Sequence, residues 1–194
     1  MNTPRLETER LILRKFTAHD IAALYMILKD EEVNTFLPWF PLRNMEEARV
    51  VFEREYAAEY AKPQAYAYAI CLKRDDEPIG YIKVDTAEAH DLGYGLRKEF
   101  WHQGIAAEAG RAVIEQVKKD GLPFVTATHD VNNPRSGGVM RKIGMTYQYS
   151  YEEQWQPKNI PVVFRLYQLN FHKDCGVYKK YWNESAVHFI ETDI

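Results

Sequence analysis

The run at residues 91–119, DLGYGLRKEFWHQGIAAEAGRAVIEQVKK, has the spacing best suited to chemistry. Gln103, Gly104, Ile105, Ala106 and Ala107 place small residues where a helix would begin. The first amides of a helix have no partner inside it, point outward and carry partial positive charge. Such a turn is a seat for a phosphate group. It is not a Walker loop, because no Gly-Lys-Ser/Thr follows, and it lacks the three-glycine spacing of a dinucleotide fingerprint. A strand–glycine–helix junction also serves many α/β domains as plain architecture. The chain offers no covalent nucleophile in a known setting: there is no Gly-x-Ser-x-Gly elbow, and neither Cys71 nor Cys175 stands beside a His partner in sequence. Two cysteines so far apart suggest no zinc site and no disulfide framework, so no metal is expected.

The turn must be held by a strand before it and a helix after it. Residues 91–97 read as the strand. Ile105, Ala109, Ala112, Val113 and Val117 give the helix one buried stripe, with Glu108, Arg111, Glu115, Lys118 and Lys119 on the other face. Gly121 ends it and Pro123 prevents its resumption. Upstream, residues 5–16 read as a first strand, and Thr17 caps a helix over 18–29. Residues 31–41, EEVNTFLPWFP, are short, aromatic and broken by Pro38 and Pro41. A second long helix follows over 45–60, then a hairpin of strands 66–73 and 79–85. Downstream, residues 124–128 form a strand. Asn133 is a good N-cap with Pro134 at the first helical position and Gly144 at the exit. Gly137 and Gly138 are odd inside that helix, each costing roughly 1 kcal/mol relative to Ala. Strands 147–155 and 161–170 close the pattern. The tail beyond residue 171 reads as a docked helix, an added strand or a homodimer contact.

The chain has 194 residues, enough for one domain with a sizeable core. A net charge of −3 argues against nucleic acid as a partner, which would need a concentrated basic face. No apolar run would span a bilayer, and the charged opening MNTPRLETERLILRKF lacks a signal-peptide core, so no membrane partner and a cytoplasmic location are expected. Thirteen Tyr, nine Phe and four Trp supply core and allow an aromatic-lined cleft.

Two groups of residues then carry a family likeness. Leu92-Gly93-Tyr94, followed by Phe100-Trp101-His102-Gln103-Gly104-Ile105-Ala106-Ala107-Glu108-Ala109, resembles the acetyl-CoA-binding segment of the GNAT acetyltransferases. The nearest branch is that of the ribosomal-protein N-terminal acetyltransferases. Their loop is usually Arg or Gln, two residues, Gly, one residue, then Gly or Ala. Gly104 and Ala106 fit, while Trp101 stands in the Arg/Gln position. Asn133, Ser136, Lys142 and Gly144 resemble the second GNAT signature, and Leu6-Glu7-Thr8-Glu9-Arg10-Leu11-Ile12-Leu13-Arg14 resembles the branch's opening strand. The three lie in order and cover most of residues 5–145.

The resemblance implies an α/β (α+β) GNAT fold. Its central sheet would be mixed, mostly antiparallel, of about seven strands flanked by helices and splayed at the fourth and fifth strands. Residues 1–171 would be the acetyltransferase domain and 172–194 an extension packed on it. Acetyl-CoA would be the cosubstrate and an amine the acceptor: a protein N-terminus first, then a small amine, polyamine or aminoglycoside. The last two need an acidic cleft, for which Asp30-Glu31-Glu32 and Glu46-Glu47 are available. By the same resemblance the backbone from Leu92 through Tyr94 and Leu96 to Arg97 would pair with the pantetheine arm. The amides of Gln103, Gly104, Ile105, Ala106 and Ala107 would bind the diphosphate. Asn133 would reach the arm, or serve only as a cap. Ser136 would stand near the sulfur, or be satisfied within its own helical turn. Phe36, Trp39 and Phe40 would border the acceptor pocket, with core staples as the competing role. Asp91 is the first candidate for the general base and Glu153 the second, with His90, His129 or a water chain as other carriers. Arg97 and Arg135 would meet phosphates or only water. A non-catalytic acyl-CoA-binding or regulatory module on this fold is the alternative.

Overall fold

The computed structural model describes residues 2–192 and residue 194; Met1, where the expected acetyltransferase domain begins, and Asp193, within the expected extension, lie outside the described residues. Among the described residues, nine strands form two antiparallel sheets. The first runs β1 (Leu6–Glu7), β2 (Leu11–Arg14), β3 (Tyr66–Leu72), β4 (Pro78–Val84) and β5 (Leu92–Leu96), in that order. The second is ordered β6 (Phe124–Asp130), β8 (Ile160–Asn170), β7 (Thr146–Trp155) and β9 (His188–Phe189). One parallel bridge, Asp91 to Thr126, joins them. The splay therefore falls between β5 and β6. Residues 5–16 make two strands instead of the one expected, because the chain turns at Thr8, whose amide donates to the Leu11 carbonyl at 3.0 Å and whose hydroxyl accepts from the Leu11 amide at 3.0 Å.

Alternation along β3 decides which helix covers which face. Tyr66, Tyr68 and Ile70 face one side, where the stripe of α5 (Ile105–Lys119) packs through Ile105, Ala109, Val113 and Val117. Ala67, Ala69 and Cys71 face the other, beneath α1 (Ile21–Leu28) and α3 (Met45–Phe52). Small side chains on that face let Leu24, Ile27, Phe52 and Tyr56 come close. Each buried aliphatic side chain of this kind contributes about 1.5–3 kcal/mol. Between α1 and α3 lies a short helix, α2 (Glu31–Asn34), capped by the Asp30 carboxylate. The helix expected over 45–60 is not uniform: α3 passes into a π-helical turn (Glu53–Ala57) and then α4 (Ala58–Tyr60).

The second sheet carries α6 (Pro134–Lys142) and an aromatic cluster of Tyr149, Tyr151 and Phe164. The tail covers that cluster with a short helix, α7 (Lys180–Glu184), and then adds β9 beside β7 at Ser150 and Tyr151. Glu191 fastens it by accepting from Ser150 Oγ at 2.5 Å and pairing with Arg165. The tail is thus both a docked helix and an added strand.

Candidate active site

The register of β5 sets the site. Arg97 donates its amide to the Ile79 carbonyl at 2.9 Å, and Asp85 donates to the Asp91 carbonyl at 3.1 Å. In an antiparallel pair such bonds alternate, so residues 91, 93, 95 and 97 bond to β4 while 90, 92, 94 and 96 turn their backbone groups to the opposite edge. At that edge the His90 carbonyl accepts from Thr126 at 3.2 Å. Beyond this point the sheets separate and, among the described residues, no strand lies against Tyr94. A strand edge of this kind is open to an extended ligand. The Leu96 carbonyl is not free, because Trp101 Nε1 donates to it at 2.9 Å. Trp101, which departs from the usual loop, thereby ties the turn to the strand.

After Trp101, His102 (φ 61°) and Gly104 (φ 75°) both take left-handed backbone conformations. A side chain at Gly104 would be strained, though its Cβ would meet only Arg10 Nη2, at 3.8 Å. Glu108 makes the first bond of α5, donating to the Gly104 carbonyl at 3.0 Å. Among the described residues, the amides of residues 103–107 find no protein acceptor. Their surroundings are braced by residues that local spacing did not single out. Thr8 Oγ1 donates to Glu108 Oε1 at 2.5 Å, Arg10 Nε to Glu108 Oε2 at 2.7 Å, and Arg10 Nη1 to the Gln103 carbonyl at 3.0 Å. Burial works against the Glu108 charge, but these bonds outweigh it and hold the carboxyl below its usual range.

The titratable groups divide between the two faces of β5. Tyr94 points toward α6, its hydroxyl 2.7 Å from Ser136 Oγ and donating to the Ser136 carbonyl at 3.1 Å. Burial pushes this phenol up to about 12, against the Ser136 bond. Asn133 caps α6, accepting from the Ser136 amide at 3.3 Å, and its Nδ2 has no protein partner among the described residues. On the other face, burial and then the nearby Asp85 push Asp91 up to about 7, while Thr126 (3.4 Å) and Lys83 pull the other way. A carboxyl titrating there is poised to take protons near neutrality. Glu153, on β7, is raised by burial.

Other expected residues fall elsewhere. The Arg97 guanidinium pairs with Glu77 and Glu99, and its amide faces β4. His129 is buried against Tyr167, with Nδ1 2.8 Å from the Asp130 carbonyl, and burial lowers its pKa. Of the aromatic residues 36, 39 and 40, Trp39 lines a cavity between α1, α3 and β4. Phe36 is half-buried outside that lining, and Phe40 is 60% exposed. The acidic runs are partly engaged: Asp30 caps α2, Glu32 pairs with Lys98, Glu46 with Arg49 and Glu47 with Arg43, while Glu46 and Glu47 also line a pocket beside Leu42, Val50 and Val51.

Comparison with known proteins matches residues 10–146 to the family described as acetyltransferase (GNAT) domain. An uncharacterised N-acetyltransferase, YoaA, of Bacillus subtilis (strain 168) is 29% identical over 161 residues, which cover 77% of this chain and 89% of YoaA. A GNAT-family acetyltransferase crystal structure from Bacillus anthracis superposes with a TM-score of 0.75 at 22% identity, over 87% of this chain and 99% of that one. RimL, a ribosomal L7/L12 alpha-N-protein acetyltransferase solved in complex with coenzyme A, gives 0.70 at 20% identity, over 86% and 98%. Among the described residues no helix is long and apolar enough to cross a membrane.

Proposed function

Since the chain belongs to the acetyltransferase (GNAT) family, we propose that it moves the acetyl group of acetyl-CoA directly to an amine, with no covalent enzyme intermediate. The observation that carries this is the open edge of β5 at Tyr94 beside the unpaired amides of residues 103–107. RimL, of similar fold, was solved with coenzyme A.

The turn amides bind the diphosphate through hydrogen bonds and the positive end of α5, the latter worth about 0.3–1 kcal/mol. The backbone of Leu92 and Tyr94, with the Leu96 amide, pairs with the pantetheine arm, and the free Asn133 Nδ2 adds a donor. An amide of β5 polarises the thioester carbonyl, as an oxyanion hole does. The amine forms its bond to the acetyl carbon as the carbon–sulfur bond breaks. Asp91 accepts the proton the amine loses, with Glu153 as the second candidate. CoA leaves as a thiolate with an ordinary thiol pKa of about 8.5, stable enough for a hydrogen bond from Ser136 to suffice.

Calorimetric titration with CoA, paired with thiol release from acetyl-CoA across a panel of amines and peptides, tests this. Micromolar CoA binding with turnover on at least one acceptor is expected. Binding without turnover on any acceptor would assign a non-catalytic module, and no binding would remove the phosphate seat.

A further inference from the structure

The cavity between α1, α3 and β4 is lined by Leu28, Trp39, Leu42, Tyr56 and Tyr81, with Lys83. Its apolar lining carries three polar groups that no protein atom among the described residues satisfies. Trp39 Nε1 is buried without a partner. The hydroxyls of Tyr56 and Tyr81, on residues 4% and 3% exposed, likewise make no hydrogen bond among the described residues. Burial raises both phenols, so they stay protonated and able to donate. A buried donor without an acceptor is destabilising, and Trp39 Nε1 beside two unpaired hydroxyls points to an occupant that brings acceptors.

Two of its lining residues, Tyr81 and Lys83, lie on the strand that pairs with β5. Tyr81 pairs in register with Gly95 and leans over it: a Cβ there would lie 2.6 Å from the ring and 3.0 Å from the hydroxyl. Lys83 pairs with Gly93, above which nothing lies within 4 Å. Asp91 is next along the same face, opposite Asp85 by the same alternation. The lining also includes Glu55, which pairs with both Lys83 (3.1 Å) and Arg54 (2.9 Å), so cations exceed carboxylates in it by one. This suits an occupant with a carbonyl or carboxylate and does not suit a polycation.

We propose that this cavity selects the acceptor, and that the acceptor is an α-amino acyl group with an apolar side chain. The proposal rests on the acetyl-transfer reading above and narrows it. The side chain fills the space among Leu28, Trp39 and Leu42. The carbonyl accepts from Trp39 Nε1 and the Tyr81 hydroxyl. The amine then lies over Gly93 within reach of Asp91. A peptide N-terminus and a free amino acid share this chemistry; a polyamine or aminoglycoside does not.

The test uses a leucyl dipeptide amide, free leucine, a glycyl dipeptide amide and spermidine as acceptors, with Trp39→Phe, Tyr56→Phe and Tyr81→Phe beside the wild type. These variants remove single hydrogen-bonding groups and keep the rings, and thermal melting checks their folding. The leucyl peptide should exceed the glycyl one in kcat/KM by about tenfold or more, as expected for an apolar pocket. Trp39→Phe and Tyr81→Phe should each raise KM for the leucyl peptide about fivefold, the size of one ordinary hydrogen bond, with CoA affinity unchanged. Free leucine matching the peptide would assign amino acids, and its failure would assign peptide ends. Spermidine used better than any α-amino acyl compound, or unchanged KM in all three variants, would overturn the proposal. Absence of thiol release with every amine would instead sink the acetyl-transfer reading. Calorimetry of the leucyl peptide and spermidine against the protein alone then decides the cavity by itself, with tighter spermidine binding counting against it.

Discussion

The Tyr94 hydroxyl stands 2.7 Å from Ser136 Oγ and 3.1 Å from the Ser136 carbonyl, so one side chain ties β5 to the first turn of α6 across the splay between the sheets. The tie fixes where the Ser136 hydroxyl sits, and Ser136 is the group proposed to meet the departing thiolate. Tyr94→Phe keeps the ring and removes only the tie. It should lower kcat about three- to tenfold and cost about 1 kcal/mol of stability, with CoA affinity nearly intact. Presteady-state acetylation and calorimetry check this; an unchanged kcat would show that Ser136 needs no such support.

Asp91 gives a pH signature. Its folded pKa, about 7, lies above the ordinary 3.8, because burial and Asp85 disfavour the charge. The folded state therefore holds the proton more tightly than the unfolded chain. Its stabilising contribution is complete below about pH 4 and is lost as pH rises through about 7. Activity runs the opposite way, since the base must be ionised: kcat/KM should climb with an apparent pKa near 7. Asp91→Asn should flatten the stability curve over that window and lower kcat about tenfold to a hundredfold, while binding CoA as before. A full rate in the Asn variant across that range would reject Asp91 as base.

Gly104 is the position where backbone geometry and charge both matter. Gly104→Ala should cost about 1 kcal/mol through its left-handed conformation and weaken CoA modestly. Gly104→Glu should abolish measurable CoA binding, because bulk and negative charge would enter the seat of the diphosphate. Equal CoA affinity in wild type and Gly104→Glu, by calorimetry, would remove the phosphate assignment.

Glu108 lies in the first turn of α5, where its charge would oppose a bound anion, and the Arg10 guanidinium 2.7 Å away offsets it. Arg10→Ala should therefore weaken CoA about five- to tenfold, more at low salt than at high. Adding Glu108→Gln to Arg10→Ala should restore most of the loss. If the double variant binds CoA no better than the single one, Arg10 acts by contacting the ligand or bracing the turn, and not by cancelling Glu108.

The parts of this site that sequence made legible are the ones written locally. The small residues from Gln103 to Ala107 and the stripe of α5 follow from spacing within one helix, and the structure places both as spacing predicts. What escaped was written across distance. Arg10 and Glu108 are 98 residues apart, and no local pattern joins them. Tyr56 and Tyr81 read as ordinary core aromatics, and only the fold shows their hydroxyls unpaired around one cavity. Gly137 looked costly inside a helix, but a Cβ there would lie 2.5 Å from His129 Nε2, so its smallness admits the ring of a neighbouring strand. The break at Thr8 was hidden because residues 5–16 alternate well enough to pass for one strand.

The tail joins stability to the pH profile. Tyr181 stacks on Tyr151 at 5.0 Å and 14°, and Trp182 meets Tyr149 edge-on at 5.3 Å. Burial raises the Tyr181 phenol, and the Asp91 charge raises it further. Aromatic pairs of this kind are worth about 0.5–1.5 kcal/mol beyond their buried area. Tyr181→Leu should lower the melting temperature by about 2–6 °C. It should also admit water toward Asp91, easing the burial that raises it, and so move the acid limb of kcat/KM to lower pH. A shifted melting point with an unmoved limb would leave the tail a purely structural cover.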